Sequence, residues 1–179
     1  MRTIVAPDEL PALDALLEQR ARCGADLYDY EIEGVLRMSR APRRGHGRWQ
    51  LKVGTALTQR LDAEAFSVGG PANLGTKGNY VVPDVVVLHA ADEPDDEGGV
   101  WLGRAAIAVE VLSPDEDEPT KVADYRRVVE TGDLALDELW YVDANAAEIR
   151  VYDPTRGVAR RSSVFLSLDD LTAALFDQR

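Results

Sequence analysis

Two carboxylates stand where carboxylates are expensive. Asp84 interrupts the apolar run from Tyr80 to Leu88, and Glu110 interrupts the one from Ile107 to Leu112. Burying an ionised carboxylate is costly unless it is paired or coordinates a cation. If the two runs are neighbouring central strands, the carboxylates meet, and their repulsion favours a divalent cation with hard oxygen ligands, Mg²⁺ or Mn²⁺. Either carboxylate alone would equally suit a strand end, paired with an arginine or capping a backbone group. The chain has only three lysines, Lys52, Lys77 and Lys121. Lys121 falls eleven positions after Glu110, in the first turn of the next helix. Packed back over the strand, its ammonium would orient a water or stabilise developing negative charge at Glu110. Turned outward, it is a solvated helix-start lysine.

A second concentration of charge is basic. Arg37, Arg40, Arg43, Arg44, Arg48 and Lys52, with His46 among them, fall within sixteen residues. Arginine forks suit phosphate, and such contacts supply the salt-sensitive part of nucleic-acid binding. The same segment would also serve as a solvated balance to an acidic protein. Against DNA stand the acid-rich loops at Asp92 to Glu97 and Asp115 to Glu118, close in sequence to Asp84 and Glu110. Cys23 and His89 carry no nucleophile or ligand pattern. His46 suits either a phosphate contact or a helix-start packing role.

The elements that must position these groups follow from periodicity. Leu10, Leu13, Leu16 and Leu17 recur at helical spacing over residues 8–22, and Trp49, Val53, Ala56, Leu57 and Leu61 do so over 46–61. Residues 27–38 alternate and turn at Glu33-Gly34 as a hairpin. Strands are expected at 66–68, 80–88 and 105–112, with a glycine-rich loop over 69–79. Pro119 opens a helix ending near Gly132, strands follow at 139–142, 148–152 and 163–168, and Ser167 or Asp169 caps a final helix. Helices and strands mix without repeat or linker, so a single α/β or α+β domain over 1–179 is expected.

Composition narrows the function. The formal net charge of −12 argues against a generic nucleic-acid coat or an anionic-membrane binder. Screening over about 8 Å still lets a compact basic patch meet phosphate. No apolar run approaches the roughly 18 residues of a membrane span, no secretory signal is indicated, and one cysteine suits a reducing cytoplasm.

Five ordered pieces then carry a resemblance: Tyr30 to Gly34, Val82 to Val87, Ala108 to Pro114, Lys121 with Tyr125, and Leu139 to Asp143. In this order and spacing the chain resembles the Uma-type restriction endonucleases of the PD-(D/E)xK nuclease-like superfamily. The resemblance implies a restriction-endonuclease-like fold, a mixed central β-sheet flanked by helices, and a metal-dependent endonuclease acting on DNA. It matches Asp84 to the Asp of the PD element, Glu110 to the acidic residue of the second element, and Glu31 to an early acidic position that joins such sites. Leu112 stands where the superfamily lysine would follow Glu110 by two positions, and Lys121 matches the displaced place on the following helix. Homodimeric assembly is expected from the family type and from symmetry. The rival expectation is a catalytically inactive binding or regulatory module that keeps the fold and acts through a protein partner.

Overall fold

The computed structural model describes residues 2–3, 11–22, 27–39, 44–94, 101–113 and 118–177. In chain order the elements are β1 (Arg2–Thr3), α1 (Pro11–Arg22), β2 (Tyr30–Ile32), β3 (Val35–Met38), α2 (Arg44–Thr58), β4 (Phe66–Gly69), β5 (Asn73–Thr76), β6 (Asn79–Val81) and β7 (Val85–His89). They continue as β8 (Trp101–Leu102), β9 (Arg104–Val111), α3 (Glu118–Glu130), β10 (Ala135–Asp143), β11 (Glu148–Asp153), β12 (Val158–Arg160) and α4 (Leu168–Phe176). The result is an α+β fold with a mixed central sheet flanked by helices.

The central sheet runs β12-β11-β10-β9-β7-β4. Its β9 and β10 are parallel, joined by α3 as the crossover, and the remaining pairs are antiparallel. A second sheet, β1-β3-β2-β6-β5-β8, lies over one face together with α3. There Tyr30, Leu74 and Val81 meet Val86, Ala108 and Tyr141. The other face is covered by α2 and α4, whose Val53, Leu57, Leu171 and Leu175 meet Val85, Ile107, Val109 and Trp140. Burial on both faces explains why β7 and β9 read as largely apolar runs rather than alternating ones. Among the described residues no helix is long and apolar enough to cross a membrane.

Three expectations are corrected. The run over 80–88 is two strands rather than one, because Pro83 has no N–H for a central ladder and the chain changes sheets there. Residues 69–79 are not merely a loop: β5 pairs with β6 through Leu74, Gly75 and Thr76. Residues 163–168 form no strand, since Val164 N donates to Glu138 and Phe165 N to the Ser163 hydroxyl, leaving β12 as the sheet edge. The hairpin forms as expected, with Glu33 and Gly34 both left-handed, at φ 51° and 76°, as its two-residue turn demands. Ser167 caps α4 by accepting from Asp170 N.

Candidate functional site

The change of sheet at Pro83 delivers Asp84 to the start of β7. Asp84 precedes the first rung of the β7–β9 ladder, where Val85 pairs with Val109, and Asp84 N donates to the Val109 carbonyl at 2.9 Å, one residue from Glu110. Both carboxylates are almost wholly buried, 3% and 2% exposed. Burial at that level requires partners, and each has them.

The partners of Asp84 come from α2 and β9. Its Oδ2 accepts from Val111 N at 2.7 Å, while Oδ1 accepts from Gln50 Nε2 at 2.6 Å and lies 2.9 Å from His46 Nε2. His46 and Gln50 are four residues apart and therefore share a helix face. Beyond them, His46 Nδ1 lies 3.3 Å from the Ser113 hydroxyl, and Gln50 exchanges hydrogen bonds with the Tyr28 hydroxyl. Asp84 lines an open cleft of about 570 Å³, which runs between α2, at Gly47, Gln50 and Gly54, and the end of β4 at Gly69.

The partners of Glu110 come from α3, on the opposite side of the sheet. Lys121 Nζ donates to Oε2 at 2.5 Å, and the Tyr125 hydroxyl donates to Oε1 at 2.7 Å. Burial first, and then the charge of Glu110, push the Tyr125 phenol well above its ordinary pKa, so it stays a donor. The Lys121 side chain is only 14% exposed. The adjoining ends of β7 and β9 therefore carry two carboxylates gripped from opposite layers: Asp84 opens to a cleft, and Glu110 is closed over by its lysine.

Of the other expected site residues, Glu31 lies half-buried on β2, opposite Leu36 and Tyr80 and alternating with the inward Tyr30 and Ile32. Among the described residues no three His, Cys, Asp or Glu side chains gather closely enough to hold an ion. Asp84, Glu110 and Glu31 thus occupy three strands without forming such a group. The donor chemistry nevertheless suits Mg²⁺ or Mn²⁺, which takes one or two carboxylates and keeps several waters.

The basic segment does not form one face. Arg37 pairs with Asp124 at 3.0 Å, Lys52 donates to the Leu175 carbonyl and lies 4.8 Å over the Trp49 ring, and His46 meets Asp84. Arg48 is exposed on α2. Arg40 and Arg43 lie outside the described residues, as does the side chain of Arg44. The acid-rich loops fall partly outside as well; within the described residues Asp92 pairs with Arg104, and Glu118 is held by Arg150 and Tyr152.

Sequence reasoning missed Gln50, Ser113 and Asp124. Gln50 was findable, since it follows His46 at one-turn spacing. Ser113 and Asp124 have no such signal, because a serine after a strand and an acid on a helix are ordinarily solvated.

The family model for Uma2, described as "Putative restriction endonuclease", matches residues 17–177. No curated protein matches the chain. Among solved structures, one from Anabaena variabilis, described as a "putative nuclease belonging to DUF820", superposes with a TM-score of 0.63 at 16% identity. The superposition covers 83% of this chain and 91% of that one. At that identity the likeness shows the shared fold, while the family match spans nearly the whole chain. The chain belongs to the Uma2 family.

Proposed function

We propose that this Uma2-family chain is a divalent-metal-dependent endonuclease that hydrolyses DNA phosphodiester bonds. What supports this reading is that Asp84, at the start of β7, bonds the backbone of β9 on either side of Glu110, with Lys121 on Glu110. Asp84 and Glu110 would hold Mg²⁺ or Mn²⁺, with Glu31 as a further carboxylate. A bound ion would polarise a phosphoryl oxygen and activate water. His46, Gln50 and the Val111 amide fix the Asp84 carboxylate in one orientation, as outer partners of a ligand do. Lys121 supplies the compact positive charge that a phosphorane-like transition state needs on its non-bridging oxygens. Arg48, with Arg40, Arg43 and Arg44, would meet the phosphate backbone, and two copies of the chain would address the two strands.

One observation favours the second reading, an inactive module acting through a protein partner. Lys121 and Glu110 form a closed pair, and a cation reaches Glu110 only if the lysine yields. Plasmid nicking separates the two. Supercoiled DNA with Mg²⁺ or Mn²⁺ should be relaxed by the wild type, with loss of relaxation on chelation and in Asp84→Ala. A wild type that leaves the plasmid intact, or an Asp84→Ala variant that nicks as fast, contradicts the nuclease and leaves the module.

A further inference from the structure

Three carboxylates along α3 share one mode of restraint. Glu110 is held by Lys121 and the Tyr125 hydroxyl. Glu118, opening α3, takes Arg150 through Nε at 3.0 Å and Nη2 at 2.7 Å, and the Tyr152 hydroxyl at 2.8 Å. Asp124 takes Arg37 at 3.0 Å and the Tyr30 hydroxyl at 2.9 Å. Each carboxylate thus meets a cation and a tyrosine. The last two sets are supplied by different sheets: Arg150 and Tyr152 stand on β11, Tyr30 and Arg37 on β2 and β3. Lys121 lies midway, three residues from Glu118 and three from Asp124, and residues at that spacing are neighbours on a helix surface.

Apolar packing already holds α3. Val122, Tyr125 and Val128 are in the core. Such contacts are non-directional, so they fix the depth of a helix better than its rotation and its slide along its axis. A lysine side chain has many rotamers to lose, and its ammonium settles on one oxygen only from a fixed base. The forked Arg150–Glu118 pair is directional and supplies that constraint, and at Asp124 a single Arg37 contact with the Tyr30 hydroxyl adds a second fixed point. Asp124 is 4% exposed, and the desolvation it bears there is hard to justify by stability alone, since buried ion pairs are often no better than apolar replacements.

We propose that Glu118 and Asp124 are positioning residues for Lys121: their arginine–tyrosine grips fix the first two turns of α3 so that the ammonium between them lands on Glu110. Arg37, which the sequence suggested as a phosphate contact, belongs to this grip. The geometric claim stands apart from the nuclease reading. Only its consequence for catalysis rests on it.

Three lysines make the test direct, with competitive acetylation by limiting acetic anhydride read by mass spectrometry. Lys77 is exposed and serves as reference, while Lys52, bonded to the Leu175 carbonyl, reports on the fold away from α3. Wild-type Lys121 should be modified about tenfold more slowly than Lys77, as expected where reaction requires local opening. Asp124→Asn and Glu118→Gln should each raise the Lys121 rate about fivefold and leave Lys52 unchanged. Asp124→Glu, which keeps the charge, should restore most of the protection. Should Asp124→Asn not fold, the apolar pair Arg37→Met with Asp124→Leu fills the same space, and it should melt like wild type yet expose Lys121. Lys121 rates unchanged in these variants, rates for Lys52 and Lys121 rising together, or a wild-type Lys121 as reactive as Lys77 would each overturn the proposal. Because no reading depends on cleavage, an inactive protein does not spoil the test. If the protein nicks DNA, the variants should lower kcat and leave KM unchanged.

Discussion

Removing the Lys121 ammonium while keeping its stem, as in Lys121→Met, leaves Glu110 buried without this cation and still bonded by the Tyr125 hydroxyl. Breaking a buried pair by deleting one partner costs about 3–5 kcal/mol. The low end applies here, because Lys121 keeps 14% of its side-chain surface in solvent against 2% for Glu110, so water reaches the gap. A loss of about 3 kcal/mol follows, which in a domain of this length lowers the melting temperature by roughly 6–12 °C. The double variant Glu110→Gln with Lys121→Met removes the charge together with its partner and keeps an acceptor for Tyr125. Its loss should shrink to about 1 kcal/mol, giving a coupling of about 2 kcal/mol or more between the two sites. Urea titrations of the four proteins measure this, the midpoint shifting without change in slope. A Lys121→Met loss below about 0.5 kcal/mol, the value for a solvated surface residue, would refute the closed pair. So would a double variant as unstable as the sum of the singles.

Acid should separate two aspartates of opposite sign. Asp133 is held below its ordinary 3.8 by side-chain bonds from Asn79, Thr131 and Thr76, so its contribution is present above that pH and lost as pH falls toward the folded value. Urea midpoints of Asp133→Asn and wild type should differ at neutrality and converge below about pH 4. Asp124 is raised above 3.8, chiefly by burial, against the Tyr30 bond and the Arg37 charge. The folded form therefore binds this proton more tightly, and wild type should lose stability relative to Asp124→Asn as pH rises from 3.8 through the folded value. Gln50→Leu deletes one donor to Asp84 and should cut metal-dependent cleavage, or Mn²⁺ affinity in calorimetry, by roughly 10–100-fold; an unchanged affinity and rate would exclude it from the site. Gly75 has φ 128°, and a Cβ there would strike the Asn79 carbonyl, so Gly75→Ala should cost more than about 1 kcal/mol in a thermal melt.

Much of the fold was legible because β7, β9, α3 and α4 carry unambiguous local signals. Glu110 stood out for the physical reason that placed it, a charge inside a two-sided apolar strand, whereas Asp84 lies at the strand end before β7 and accepts from the Val111 amide. The helix after Pro119 located Lys121, and its reach to Glu110 needed only the crossover to pack back on its own strand. What local pattern did not carry was pairing at long range. Residues 73–76 have weak strand propensity and become β5 because β6 and β8 flank them. Residues 164–166 form a β-prone apolar run like a strand, yet the Val164 and Phe165 backbone donors go to Glu138 and Ser163. The basic segment failed as a single face for the same reason. Arg37 sits on a strand whose neighbour across the core is Asp124, 87 positions away by number, and spacing along the chain does not encode that meeting.

Anomalous diffraction from a crystal soaked in Mn²⁺ with a short DNA duplex decides whether Asp84 and Glu110 share one divalent ion. A shared ion gives a manganese peak within about 2–2.6 Å of an oxygen of each carboxylate, with the Lys121 ammonium moved off Glu110 Oε2 toward the phosphate. A peak elsewhere, or none while Lys121 remains on Glu110, would contradict it.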